Sequence, residues 1–175
     1  NRIGTAANGV GQVSNEFIGI RLHQDSRGNT IGGANATPFV LSAGNLIAHN
    51  VDDGIRIQGA GTTGNLVIGN FVGVDVTGTV ALENRNTGIE INNASFNTIG
   101  GTAAGVGNVI SGNRGDGILL INPETTNNLI QGNRIGTNAA GTAAVPNQED
   151  GIEVFGVFDN TIGGAASGAG NLISG

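Results

Sequence analysis

Short segments in which apolar and polar side chains alternate recur along the chain, and each opens with glycine. The five copies are Gly19-Ile-Arg-Leu22, Gly54-Ile-Arg-Ile57, Gly88-Ile-Glu-Ile91, Gly117-Ile-Leu-Leu120 and Gly151-Ile-Glu-Val154. In an extended strand this alternation turns the first and third side chains after the glycine to one face. No window keeps helical apolar spacing without an interrupting glycine. The pattern therefore predicts short β-strands and no amphipathic helix.

Two further strand-sized segments follow each of these, and both begin with asparagine. After Gly54 they are Asn65-Leu-Val-Ile68 and Asn70-Phe-Val72, and after Gly88 they are Asn97-Thr-Ile99 and Asn108-Val-Ile110. Three short strands are the content of one coil of a β-helix. We therefore predict an all-β fold, a right-handed single-stranded parallel β-helix of about five coils with three strands in each.

The chain repeats itself with a long period. Asn45, Asn108 and Asn171 open similar segments, and the intervals are 108 − 45 = 63 and 171 − 108 = 63 residues. Each 63-residue unit contains two coils of unequal loop length. Residues 1–175 form a single β-helix segment on this interpretation. Neither end carries an obvious polar capping segment, so we expect a fragment of a longer solenoid.

Stacking the coils at about 4.8 Å places equivalent side chains above one another. The inward isoleucines then form a continuous aliphatic column, for which we expect Ile55, Ile89, Ile118 and Ile152. Asparagine tolerates the left-handed backbone of a corner, and its amide can bond to the asparagines above and below. We expect such structural ladders from two sets, Asn65, Asn97, Asn128 and Asn160, and Asn108 and Asn171.

The amino-acid composition excludes several classes of function. The chain has 13 acidic residues against seven arginines and no lysine, a net charge of −6. This balance excludes the basic stripe that nucleic-acid binding requires. No apolar run approaches 18 residues, so we expect no membrane insertion. The absence of cysteine excludes disulfides and thiolate metal sites.

Charged side chains recur at outward and corner positions of the first strand of each coil. Arg56 and Glu90 fall at equivalent outward positions, which predicts a surface ion pair. Asp53, Asp116 and Asp150 precede the glycine, where aspartate commonly bonds to the backbone of its own turn. We assign no catalytic residue. If the chain acts on polysaccharide, the candidates are Asp53, Arg56, Asp116, Asp150 and Glu153.

One loop has the oxygen content of a cation site. Asp75 lies in Gly73-Val-Asp-Val-Thr-Gly78, which could present oxygen ligands to Ca²⁺. The equivalent loop Gly136-Thr-Asn-Ala-Ala-Gly141 has no carboxylate. We therefore expect no resident cofactor and at most an occasional Ca²⁺ at Asp75.

Three repeated motifs together resemble the parallel β-helix repeats of large bacterial secreted and surface proteins. They are Gly107-Asn-Val-Ile-Ser-Gly-Asn113, Asn133-Arg-Ile-Gly-Thr-Asn-Ala-Ala-Gly-Thr142 and Asn97-Thr-Ile-Gly-Gly-Thr-Ala-Ala-Gly105. Such repeats are similar in fold to the pectin-lyase-like superfamily. The resemblance implies an extracellular or cell-surface location but no activity, because none of the enzymes' motifs is intact here.

Two functions remain open on the sequence. The first is a non-enzymatic structural or adhesive module that contacts neighbouring repeats or stacks end to end into filaments. The alternative is a β-helix that binds or degrades polysaccharide. The absence of tryptophan and tyrosine disfavours the alternative, since sugar sites commonly use aromatic platforms.

Overall fold

The computed structural model describes residues 1–175 and contains sixteen short β-strands and no helix. No helix that could span a membrane is present. In chain order the strands are β1 (Arg2–Ile3), β2 (Ile20–Leu22), β3 (Thr30–Gly32), β4 (Leu46–Ile47), β5 (Ile55–Gln58), β6 (Leu66–Ile68), β7 (Phe71–Val72), β8 (Ile89–Asn92), β9 (Thr98–Gly100), β10 (Val109–Ile110), β11 (Ile118–Ile121), β12 (Leu129–Gln131), β13 (Arg134–Ile135), β14 (Ile152–Phe155), β15 (Thr161–Ile162) and β16 (Leu172–Ile173).

These strands form three parallel sheets that run side by side along one axis. Sheet A has the order β1-β4-β7-β10-β13-β16, sheet B the order β2-β5-β8-β11-β14 and sheet C the order β3-β6-β9-β12-β15. The chain visits the sheets in turn, so every third strand stacks on its predecessor. The predicted all-β solenoid of about five coils with three strands per coil is confirmed.

The interior is a set of aliphatic columns in register. In sheet B, Ile55 pairs with Ile89, Ile89 with Ile118 and Ile118 with Ile152. The first three of these side chains are fully buried, and Ile152 is partly buried against the same cluster. Parallel columns from sheets A and C, such as Ile110 and Ile130, complete the 15-residue core. Burial of these side chains supplies the main free energy of folding.

Asparagine side chains form two ladders, one at the starts of the strands of sheet C and one at the starts of the strands of sheet A. In each, a side-chain amide donates to the Oδ1 of the asparagine on the next coil at 2.8–3.3 Å. The sheet C ladder contains Asn29, Asn65, Asn97, Asn128 and Asn160, and the sheet A ladder contains Asn1, Asn45, Asn70, Asn108, Asn133 and Asn171. Most Oδ1 atoms also accept a backbone N–H, as Asn108 does from Asn70 at 2.9 Å.

A third ladder, which the sequence analysis missed, lies at the corner between sheets A and B. It contains Asn15, Asn50, Asn84, Asn113 and Asn147, joined by side-chain hydrogen bonds of 2.8–2.9 Å. Each of these residues precedes by four positions the glycine that opens a sheet B strand. That constant spacing was readable in the sequence. All three corners of the coil are therefore fixed by the same interaction.

The outer side of sheet A carries a second, smaller apolar cluster. Three hairpin loops, residues 5–12, 74–81 and 137–144, are each closed by an antiparallel bridge. Val74 and Ala139 from two of these loops pack with Leu46, Phe71 and Val109 of sheet A. The inner strands β4, β7 and β10 of sheet A are consequently buried on both faces, which explains their consecutive apolar residues.

The segment between Asn29 and Asn45, where the repeat has its extra residues, extends along the axis towards β13. Phe39 lies 3.8 Å from the guanidinium carbon of Arg134, with that group over its ring. Asn35 is buried, and its Oδ1 accepts the backbone N–H groups of Ser42 and Ala43 at 2.8 and 2.9 Å. The insertion is thus an ordered segment that extends across several coils.

Asn108→Ala tests the ladders. The Asn108 amide donates to Val67 O and to Asn133 Oδ1, both at 2.9 Å, and its Oδ1 accepts from the backbone and side chain of Asn70. Its loss removes four hydrogen bonds from buried polar groups, so we expect a decrease of about 3 kcal/mol or more in the free energy of unfolding. Urea denaturation followed by circular dichroism measures it.

The matched control is Asn86→Ala. Asn86 is exposed and makes one side-chain hydrogen bond, to Asp52 at 3.1 Å. We expect a change below about 1 kcal/mol. Equal losses in the two variants would show that the ladders do not carry the stability assigned to them.

Candidate functional site

The outer face of sheet B carries most of the candidate residues. One outward column places Arg21, Arg56, Glu90, Leu119 and Glu153 on five successive strands. Because neighbouring strands are about 4.8 Å apart, adjacent members of the column touch and members two strands apart are separated by a side chain. The chemistry of this face is therefore set by pairs of neighbouring coils.

Arg56 is the centre of a group that includes three carboxylates, which we name the Arg56 cluster: Asp52, Asp53, Arg56 and Glu90. The Arg56 Nε donates to Asp53 Oδ2 at 2.6 Å and lies 3.2 Å from Glu90 Oε1. The Arg56 Nη2 lies 3.1 Å from Asp52 Oδ2 and 2.5 Å from Asp53 Oδ2. The expected Arg56–Glu90 pair is present, but two aspartates from the preceding corner join it.

The Arg56 cluster is more buried than a surface ion pair. The side chain of Asp53 is completely inaccessible and that of Glu90 is 9 % exposed. Burial raises the pKa of Asp53 to about 7, and the negative charge of Glu90 adds to this while Arg56 opposes it. One guanidinium cannot neutralise three carboxylates, so Asp53, the most buried of them, holds a proton more readily than an ordinary aspartate.

A second acidic group lies further along the same face and contains Asp116, Asp150 and Glu153. Burial raises the pKa of Asp116; the backbone N–H of Asp150, which donates to it, opposes this rise, and the negative charge of Asp150 adds to it. The pKa of Glu153 is also raised, by desolvation and then by the charges of Asp116 and Asp150. Leu119 separates Glu153 from Glu90 in the column. The five candidate residues thus fall into two groups and do not converge on one point.

Two of the three corner aspartates, Asp53 and Asp116, bind the backbone of the next coil, whereas bonds within their own turn were expected. Asp53 Oδ1 accepts the backbone N–H of Thr87 at 3.2 Å, and Asp116 Oδ1 accepts that of Asp150 at 2.9 Å. Thr87 and Asp150 occupy the same corner position one coil later. These carboxylates therefore act as cross-coil links beside the corner ladder.

The carboxylate of Asp75 accepts hydrogen bonds from its own hairpin loop. Its Oδ1 accepts the backbone N–H groups of Thr79 and Val80 at 2.8 and 3.1 Å, and the Thr77 hydroxyl donates to Oδ2 at 2.7 Å. Burial alone would raise the pKa of Asp75, but these hydrogen bonds lower it. No cluster of three or more histidine or acidic side chains with metal-binding geometry occurs in the structure.

Comparison of the chain with protein-family models, with curated proteins and with solved structures gave no match.

Asp53→Asn tests the protonation of the Arg56 cluster. A raised native pKa means that the native state binds a proton that the unfolded state has released above about pH 4. Wild-type stability should therefore fall as the pH rises from about 4 to about 7, by up to about 1.4 kcal/mol per pH unit from this group. The variant lacks this contribution, so its stability should fall less steeply. Urea denaturation at pH 5, 6, 7 and 8 measures both slopes.

Thr87→Val is the control, because it changes the buried side chain at the equivalent corner of the next coil but keeps the backbone N–H that donates to Asp53 Oδ1 and leaves the number of titratable groups unchanged. It should keep the wild-type pH slope. If Asp53→Asn also keeps that slope, Asp53 is ionised in the native state throughout and the assigned pKa is wrong.

Proposed function

We propose that the chain is a non-enzymatic structural or adhesive module, a stiff segment of a secreted or cell-surface β-solenoid. The observation that carries the proposal is the continuity of the interior. The three asparagine ladders run through the stacked coils without a break, while the outward residues of sheet B change from arginine to glutamate to leucine. A rod requires a repeated interior, and the outward residues differ between coils, so the coils do not share one binding site.

The resemblance of the repeats to secreted bacterial β-helix proteins of pectin-lyase-like fold supports the proposed location. The net charge of −6 and the absence of lysine fit a surface that avoids nonspecific contact with anionic polymers. Parallel sheets extend by adding strands along the axis, so the partners that we propose are neighbouring repeats of the same kind, including stacked copies in a filament.

Duplication of one 63-residue unit tests the rod. A copy of residues 108–170 inserted after Gly170 restores the sequence Gly-Asn at both junctions. Each copy adds two coils and should lengthen the particle by about 10 Å at constant cross-section, since strands stack at about 4.8 Å. Small-angle X-ray scattering on proteins with zero, one, two and three extra copies gives both dimensions.

The rod proposal requires the maximum dimension to grow linearly while the cross-sectional radius of gyration stays fixed. A compact particle whose cross-section grows with each copy would contradict it, and so would loss of the circular dichroism spectrum of β-structure.

A polysaccharide-active protein is the second candidate, favoured by the raised pKa of Asp53 next to Arg56. The donors of Arg56 are directed at Asp52, Asp53 and Glu90, which leaves little capacity for a substrate. We therefore expect no turnover of pectate or alginate, with or without Ca²⁺, in assays for reducing ends and unsaturated products. Turnover that Arg56→Ala or Asp116→Ala abolishes would make this candidate the function.

A further inference from the structure

An open groove of about 390 Å³ lies beside the corner ladder, away from the residues of the Arg56 cluster. Gln12, at the end of the first hairpin loop, and Ala81, at the end of the second, contribute to its walls. The rest of the lining is His49, Glu83, Arg85 and Arg114. Two arginines and one glutamate make this groove locally cationic in a chain whose net charge is −6.

His49 holds a backbone conformation that the repeat otherwise assigns to glycine. Its φ is 61°, and the equivalent residue 63 positions later is Gly112, with φ of 74°. The two backbone N–H groups make matching hydrogen bonds, to Leu82 O at 3.2 Å and to Val145 O at 3.1 Å. A side chain in this conformation costs about 1–2 kcal/mol relative to glycine. The histidine is therefore unfavourable for the fold, and such outliers cluster at binding sites.

The two arginines lie on successive coils. The backbone N–H of Arg85 donates to Asn50 O and that of Arg114 to Asn84 O, which places both directly after a corner-ladder asparagine. Like charges on neighbouring strands repel each other. Arg114 is paired with Glu83 at 3.3 Å, and Glu83 accepts a second bond from Gln148 at 2.9 Å. Each carboxylate oxygen of Glu83 thus has one partner.

Arg85 has neither an ion pair nor a side-chain hydrogen bond, and its side chain is exposed. Every other arginine has a partner: Ala7 O for Arg2, Gln58 for Arg21, Gly61 O for Arg27, the three carboxylates for Arg56, Glu83 for Arg114 and the Phe39 ring for Arg134. The groove therefore holds a free guanidinium beside a half-buried imidazole.

We propose that this groove binds an oxyanionic group, a carboxylate, sulfate or phosphate. The guanidinium of Arg85 offers two parallel N–H donors, the geometry that such groups accept. His49, which lines the same groove, supplies a further N–H donor, and Arg114 lies on the next coil with its charge paired with Glu83. This proposal is independent of the rod, because a stiff solenoid with or without an anion site has the same interior.

Titration of the ¹⁵N-labelled chain with sodium sulfate, and separately with tri-galacturonate, tests the site by NMR at constant ionic strength. We expect saturable shifts confined to the groove residues. Arg85→Gln should weaken binding about tenfold, since it removes the charge-assisted bidentate contact. Binding of sulfate alone identifies a small-anion site, and tighter binding of tri-galacturonate identifies an acidic glycan as the source of the anion.

His49→Gly separates binding from folding. Glycine suits the left-handed backbone here, so this variant should unfold at equal or higher urea concentration while its affinity for the anion falls several-fold. Arg27→Gln, on an exposed arginine outside the groove, is the control and should bind like the wild type. Shifts that do not saturate, or that Arg85→Gln leaves unchanged, would overturn the proposal.

Discussion

A buried carboxamide needs partners for both its donor and its acceptor, and in this chain the partners are the same residues on neighbouring coils. Twelve asparagines are buried, eleven of them in the ladders, yet the only buried side-chain polar atom without a hydrogen bond is Thr5 Oγ1. Since an unpaired buried polar group costs about 1–3 kcal/mol, a coil that slipped by one residue would lose its ladder bonds at all three corners together. The ladders therefore fix the register of the stack.

Burial of the aliphatic columns drives folding, and the ladders determine the register in which the coils stack. Apolar burial is not directional, so stacked isoleucines alone would tolerate a shifted coil better than paired amides do. Once the interior is specified, the outward positions are free to differ between coils. The Arg56 cluster and the groove around Arg85 both use that freedom: each is made by a combination of residues from adjacent coils that occurs once in the chain.

The strands, their stacking and the Arg56–Glu90 contact could be predicted from the sequence, because they follow from the repeat and from the alternation of apolar and polar residues within it. The corner ladder was also accessible, through the constant spacing between Asn50 or Asn113 and the following glycine. The contacts of Asp52 and Asp53 with Arg56 could not be predicted from the sequence, since they depend on the path of the backbone at the corner. The 63-residue period already aligns His49 with Gly112, but the left-handed backbone that both adopt, with φ of 61° and 74°, required the structure.

Hydrogen exchange of the asparagine side-chain amides tests the central claim most directly. NMR can follow the Nδ2 protons of buried ladder members such as Asn70, Asn97 and Asn113 next to those of the exposed Asn127. If the amides bridge the coils, the ladder protons should exchange at least about a hundredfold more slowly than those of Asn127, because exchange requires the stack to open. Exchange at the same rate in both sets would show that the asparagines are solvated, and the account of how the coils are held in register would fail.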